Sequence, residues 1–256
     1  MMTSNVELAA KERAAHDLGT HDVYRSKLKR VFDHVYASPN GLRMQSHFEN
    51  LAKAQMAGAK VLEIGCGTGW NAPRFLNLGA ASVDGLDVSS ALLERAKQYA
   101  SDRIRFFLHD IHEPFPGEYD LILGRAVLHH VNYQHVLRQL YDQTLRPGGS
   151  MIFMEPLGDG LLSRAYWTIG SRLHTPDERP FYRKDIAWLR NAFSGFEVIP
   201  YGYTSFVMCP FSAALFRDPD NALLRTCDRI DVWLARNAPF LTTRFRSGIF
   251  VIRKPG

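Results

Sequence analysis

The run Val61-Leu62-Glu63-Ile64 ends in Gly65-Cys66-Gly67-Thr68-Gly69-Trp70, and no other stretch restricts the fold of this chain so tightly. Its apolar residues read as a buried strand, and the segment beyond Trp70 reads as a helix. Three alternating glycines let the backbone turn sharply between the two and approach a ligand with no Cβ in the way. The spacing is Gly-x-Gly-x-Gly, and Trp70 stands where a dinucleotide fingerprint has its last glycine. The acidic Glu63 before the turn suits a cationic ligand better than a diphosphate. No Tyr-x-x-x-Lys occurs either. A nicotinamide-dependent oxidoreductase is therefore disfavoured.

Further apolar runs repeat the pattern. Lys60–Ile64, Ser82–Asp87, Ile104–Leu108, Tyr119–Leu123 and Ser150–Glu155 are separated by segments long enough for helices. That alternation predicts βαβ units and a parallel sheet. Right-handed crossovers then line up the C-terminal ends of the strands along one edge, where open α/β sheets bind ligands. With 256 residues the chain is long enough for one substantial core. From about Val6 to Met56 the spacing is helical, through Tyr24, Leu28, Val31, Phe32 and Val35, and Pro39-Asn40-Gly41 divides it into two pieces.

Two more strand ends carry acids. Gly85-Leu86-Asp87-Val88-Ser89 puts a carboxylate where ribose hydroxyls can donate to it, and charged acceptors make the stronger bonds, about 1.5–3 kcal/mol each. Ser89 equally suits a helix cap. His109-Asp110-Ile111 offers an acceptor for an exocyclic amine beside an apolar wall for an adenine ring.

On these residues the chain resembles the class I, Rossmann-like S-adenosylmethionine-dependent methyltransferase family, of the small-molecule type. Glu63-Ile64-Gly65-Cys66-Gly67-Thr68-Gly69 is similar to its first motif, Asp87 falls on its ribose-binding acid, and Asp110-Ile111 on its adenine pair. Tyr119-Asp120-Leu121-Ile122 and Leu128-His129-His130-Val131 resemble its fourth strand and the turn beyond. Leu145-Arg146-Pro147-Gly148-Gly149 resembles the turn before the fifth strand. The resemblance implies S-adenosylmethionine as methyl donor, bound by Glu63, Gly65, Cys66, Gly67, Gly69, Trp70, Asp87, Val88, Asp110, Ile111 and Arg125. It also implies an α/β three-layer sandwich: a seven-stranded, mostly parallel sheet with the last strand antiparallel, completed by Phe196–Tyr201 and Arg244–Ile252. The expected organisation is a single domain over 1–256, with an N-terminal helical cap over 1–57 and a cofactor-binding core over 58–155. Residues 156–256 would supply an acceptor lid and the completion of the sheet.

A sulfonium methyl is already a strong electrophile, so alignment of donor and acceptor can supply most of the rate, and a general base is optional. The candidates for that base are His129, His130 and Glu155, at the ligand edge. A structural or cofactor-lining role competes for the histidines, and a loop-holding role for Glu155. His174 is another candidate in a long segment, with exposure to solvent as its plainer reading. His109 and His112 flank Asp110 at a spacing that suggests metal, but with no matching ligand set they read as a satisfied loop pair, and no metal is expected.

Pro156 to Tyr182 is longer than an ordinary connection. It carries Tyr166, Trp167, Phe181 and the turn-like Thr175-Pro176-Asp177-Glu178-Arg179-Pro180, which suits a lid containing a short helix over Leu161–Leu173. Arg183–Phe193 and about Asn221–Arg236 read as helices. The apolar run through Phe206, Val207, Met208, Phe211, Leu215 and Phe216 packs on the sheet, forms a dimer contact, lines an apolar acceptor pocket or touches a membrane. Arg217, Arg225, Arg229 and Arg236 would suit anionic head groups. From Phe216 onward there are eight basic residues against four acidic ones, within a net charge of +5. With no aromatic-interleaved basic stripe, nucleic acid is not the expected partner.

A small-molecule or lipid-like acceptor is the leading expectation. A cofactor-binding protein without turnover and a protein or nucleic-acid methyltransferase are the alternatives. Neither an Asn-Pro-Pro-Tyr-type motif nor a catalytic Pro-Cys pair is present. Met1–Arg13 holds Glu7, Lys11, Glu12 and Arg13 around no apolar centre, so no secretory signal is expected. The scattered Cys66, Cys209 and Cys227 fit a reducing, cytoplasmic setting.

Overall fold

A computed structural model of the chain describes residues 29–169 and 178–256. Tyr24, Leu28, residues 170–173, His174 and Thr175–Asp177 lie outside them. Seven strands form one sheet in the order β3-β2-β1-β4-β5-β7-β6. They are β1 (Lys60–Ile64), β2 (Ser82–Asp87), β3 (Ile104–Leu108), β4 (Tyr119–Arg125), β5 (Leu145–Pro156), β6 (Phe196–Tyr201) and β7 (Ser247–Arg253). β1 pairs in parallel with β2 and β4, β2 with β3, and β4 with β5. β7 runs antiparallel to both of its neighbours, β5 and β6.

The layering follows from side-chain alternation along strands that are buried on both faces. Leu62, Ile64, Ile122, Met151, Phe153, Phe250 and Ile252 belong to one apolar cluster. Their strand neighbours Val61, Leu121, Leu123, Ile152, Ile249 and Val251 belong to the other. Each face is then covered by helices. The described α-helices are α1 (Lys29–Tyr36), α2 (Pro39–Lys53), α3 (Ala72–Asn77), α4 (Ser90–Ala96), α5 (Tyr133–Gln139), α6 (Leu161–Ile169), α7 (Arg183–Ala192), α8 (Thr204–Leu215) and α9 (Ala222–Asn237).

Several boundaries differ from the sequence expectation. β4 continues to Arg125 because Gly124 has no side chain: a Cβ there would lie 2.8 Å from the Phe153 ring. The turn expected over Leu145–Gly149 is absorbed into β5, whose register slips between Tyr119 and Leu121 of its partner. β7 begins at Ser247, not Arg244, since Pro239–Arg244 forms a 3-10 turn. The apolar run from Phe206 is helix α8, which carries Pro210 inside it. The N-terminal break falls at Ala37-Ser38, where the Ser38 hydroxyl accepts from Gly41 N.

α2 is part of a helical layer: Met44, Phe48 and Ala52 enter the same cluster as Val61 and Val251. α8 is held by α9 through Asp231, which is buried and accepts from the backbone N–H of Tyr203, Thr204 and Ser205. Both ends of the segment after β5 return to one place, since Gly158 N donates to Phe181 O and Phe181 N to Pro156 O.

Candidate active site

β1 and β4 are neighbours although two strands intervene between them in sequence, so the chain leaves the sheet in opposite directions at their ends. Open α/β sheets form their ligand crevice at such a switch point. The glycine turn sits there. Gly65, Gly67 and Gly69 have φ of 64, 55 and 71°, conformations that side-chain-bearing residues seldom adopt. At Gly69 a Cβ would also lie 2.5 Å from Phe106, and at Gly65 3.1 Å from Val127. A Cβ at Gly67 would meet no atom within 4 Å, so that face of the turn is open.

Asp87 ties the turn to the next strand end. Its Oδ2 accepts from Gly67 N at 2.8 Å and its Oδ1 from Ser89 N at 2.9 Å. Ser89 also caps α4 by accepting from Leu92 N. Val88 is half-buried beside it. Asp110 Oδ1 accepts from both the backbone N–H and Nδ1 of His112, at 3.0 and 2.8 Å. His112 Nε2 accepts from Asn132 N, and His109 Nε2 meets Glu113 O at 3.0 Å. Both histidines thus have partners in this loop or in the segment beyond β4. Ile111 is buried next to them.

Three buried polar atoms around Glu63 have no hydrogen-bond partner among the described residues: Glu63 Oε2, Asn71 Oδ1 and Arg125 Nε. Glu63 Oε1 accepts from Asn71 Nδ2 at 2.7 Å. Burial pushes the Glu63 carboxyl up to about 7, helped by the nearby Asp87 charge and opposed by Asn71 and Arg125. Burial likewise lowers Arg125, against the pull of Glu63 and Glu49. Two acceptors and a guanidinium donor left unmatched in one buried place complement a zwitterion, because an ammonium suits the first pair and a carboxylate the last. The Arg125 guanidinium lies 4.7 Å from the ring centre of Phe48 and 5.7 Å from that of Trp70, which is about half exposed. Cys66 is buried against Gly85, where burial pushes its thiol well above the ordinary range.

Beyond β4, Ala126 is the one non-glycine described with positive φ, at 52°. The strained turn it begins is held by Glu155, which is buried at the end of β5. Glu155 Oε1 accepts from Val127 N at 3.0 Å and Leu128 N at 2.9 Å, and its Oε2 faces His129 Nδ1 at 2.7 Å. Its oxygens are thereby committed, and this geometry supports the loop-holding role over proton transfer. His129 Nε2 faces Glu178 Oε1 at 3.5 Å. Burial alone would lower His129, but the hydrogen bonds and charges of Glu155 and Glu178 outweigh it and raise it to about 9. His130 lies against it, with ring centres 4.0 Å apart and Nδ1 3.8 Å from Glu178 Oε2.

All the expected cofactor residues therefore lie along the C-terminal edge of β1, β2, β3 and β4, and His129, His130 and Glu155 lie beyond β4 and β5. Asn71, Glu49, Phe48 and Glu178 escaped the sequence reading. Asn71 stood one residue past the recognised motif. The others reach the site from an N-terminal helix and from the segment after β5, with no local signal to mark them.

A family model described as a methyltransferase domain matches residues 36–200, more than half of the chain. A malonyl-[acyl-carrier protein] O-methyltransferase of Priestia megaterium is 36% identical over 97 residues, covering 36% of this chain and 35% of that protein. A 27-O-demethylrifamycin SV methyltransferase of Amycolatopsis mediterranei is 37% identical over 114 residues, covering 41% of this chain and 40% of that protein. The chain thus matches well under half the length of these curated relatives. A phosphoethanolamine N-methyltransferase of Haemonchus contortus, solved with S-adenosyl-L-methionine, superposes with a TM-score of 0.60 at 18% identity, over 86% of this chain and 54% of that one. At that identity the likeness shows the fold.

Proposed function

This chain belongs to the methyltransferase domain family, and from that premise we propose that it is an enzyme that transfers a methyl group from S-adenosylmethionine to a small-molecule or lipid-like acceptor. The observation that carries the reading is the unmatched triad of Glu63 Oε2, Asn71 Oδ1 and Arg125 Nε beside an open glycine turn. The amino acid head of S-adenosylmethionine is the zwitterion that this triad complements. When bound, the cofactor supplies an electrophilic methyl on a sulfonium. Glu63 and Asn71 accept from its ammonium, Arg125 donates to its carboxylate, and Asp87 accepts from its ribose hydroxyls. Asp110 and Ile111 receive the adenine. Gly65, Gly67 and Gly69 admit it closely, and Trp70 and Val88 flank it. With no protein nucleophile needed, the chain contributes alignment and the exclusion of water.

Isothermal titration tests the reading directly. Micromolar binding of S-adenosylmethionine without binding of NADH is expected, and binding of NADH alone, or of neither, would overturn it. Proton linkage offers a sharper check. The folded-state value of Glu63 is raised from 4.5 to about 7, so between those pH values the folded chain keeps a proton that the unfolded chain has lost. Stability from this group accordingly falls as pH rises through that window. A bound ammonium selects the ionised form instead, so affinity should weaken on acidification, about fivefold from pH 7 to pH 6. Glu63→Gln should flatten this profile. A wild-type affinity that does not change between pH 8 and pH 6 would refute the pairing of Glu63 with the ammonium.

The lipid-like reading of the acceptor draws on α8 and α9. α8 contains no charged residue, and it exposes Val207, Phe211 and Leu215 at helical spacing. α9 packs beside it and exposes Trp233 and Ile230, with Arg225, Arg229 and Arg236 on its solvent side. Exposed apolar side chains rimmed by arginines match an anionic lipid surface. No described helix is long and apolar enough to cross a membrane, so the contact is peripheral. Salt-sensitive co-sedimentation with phosphatidylglycerol vesicles is expected, weakened by Phe211→Ser. Recovery of all the protein in the supernatant would refute it.

A further inference from the structure

His129 and His130 meet Glu178, a residue far along the chain, and the three present ligand atoms to one space. One nitrogen from each histidine and one Glu178 oxygen all lie within 4.8 Å of one another. Glu178 faces both rings with its two oxygens, Oε1 lying 3.5 Å from His129 Nε2 and Oε2 3.8 Å from His130 Nδ1. Ligands about 2.1 Å from a tetrahedral zinc stand about 3.4 Å apart. The cluster is therefore within small side-chain rotations of a coordination shell. We propose that His129, His130 and Glu178 bind one divalent transition-metal ion, of the zinc class, with an open position facing the acceptor.

Three features beyond proximity support this. The first is the partner on the far side of His129, where Glu155 holds Nδ1 at 2.7 Å. A carboxylate on the second ring nitrogen orients a metal-binding imidazole and raises its basicity. The second is charge. The Glu155 and Glu178 side chains are 0% and 6% exposed, and two carboxylates buried around a histidine pair hold negative charge that a dication neutralises. The third is the ligand type: two imidazoles and one carboxylate suit zinc and its neighbours, while magnesium and calcium prefer oxygen throughout. Trp167, its ring centre 6.0 Å from that of His129, walls the cluster edge-on.

The site implies an acceptor class, which rests on the methyl-transfer reading above. A hydroxyl oxygen in the open position would lose its proton to water near neutral pH, because a bound dication lowers the pKa of a coordinated hydroxyl. That oxygen then forms a bond to the methyl carbon as the carbon–sulfur bond breaks, and the electron pair stays on sulfur to leave S-adenosylhomocysteine. The acceptor is therefore a hydroxyl compound, such as a phenol or enol.

The test uses the full chain after dialysis against a chelator. Zinc titration should show one equivalent bound, and cobalt(II) substitution should give visible absorption bands of a low-coordinate centre. His130→Ala and Glu178→Gln should each weaken zinc binding by at least about tenfold and abolish the cobalt bands. S-adenosylmethionine affinity should be unchanged in both, which also reports that they fold. No zinc bound by the wild type, or equal binding by wild type and both variants, overturns the metal site. Loss of S-adenosylmethionine binding by the wild type would instead overturn the methyl-transfer reading and leave the metal titration standing on its own.

Discussion

Asp87→Ala is expected to raise the dissociation constant for S-adenosylmethionine by at least about a hundredfold. In the proposed binding mode the carboxylate accepts two ribose hydroxyl bonds, and charge-assisted bonds of this kind contribute about 1.5–3 kcal/mol each. Their joint loss corresponds to about 10²–10⁴ in affinity. The same side chain holds Gly67 N and Ser89 N, so its removal also loosens the turn that the cofactor approaches. Asp87→Asn separates these contributions. Its amide oxygen can still accept from one backbone N–H, while the charge is gone, so an intermediate loss is expected. Circular dichroism should show both variants folded. An Asp87→Ala protein that binds within threefold of wild type would remove Asp87 from the cofactor site.

The second large effect concerns stability. Glu155→Ala strips partners from Val127 N, Leu128 N and His129 Nδ1, all close to the buried end of β5. A buried group left unsatisfied costs about 1–3 kcal/mol, more where charge is involved. A destabilisation of about 3–5 kcal/mol is expected, comparable to breaking a buried ion pair. The position of Ala126 adds to it. Its φ of 52° is strained, and such backbone persists only where its surroundings over-determine it. The released loop would carry Val127 away from Gly65, where it now packs closely enough to crowd a Cβ. Urea denaturation measures the loss. A change under about 1 kcal/mol would show that the loop holds itself and that Glu155 serves some other purpose. Glu155→Gln should fall between the two, because one amide oxygen still serves the backbone N–H groups while the amide nitrogen faces His129.

Much of the framework was legible because its determinants are local. Lys60–Ile64, Ser82–Asp87, Ile104–Leu108 and Phe196–Tyr201 read as strands at the observed boundaries, since apolar runs bounded by turn residues have few other solutions. Helix starts were legible where a cap marks them: Asn221 accepts from Leu224 N at the head of α9. Reading failed where local composition misled. Gly124 and Arg125 look like a strand's end, yet the strand continues through them because Phe153 fills the space over the glycine. The Pro-Gly-Gly segment reads as a turn, yet neighbouring strands draw it into β5 as a bulge.

The sequence by itself determined the parallel sheet, the glycine turn and the acids at three strand ends. Each depends on backbone conformations and periodicities set within a few residues. Only the tertiary structure decided what those groups do. Glu63, Asn71 and Arg125 become one complementary site because β1 and β4 are neighbours in the sheet. Glu155 becomes an anchor because β5 ends beside the loop after β4, and Glu178 joins His129 and His130 because the segment after β5 folds back to its own start. Burial then does what no sequence pattern can: it raises the Glu63 carboxyl, while two buried carboxylates raise His129 against the effect of its own burial. Hydrogen-bond partners and local dielectric are properties of contacts between distant residues, and those exist only once the sheet order is set.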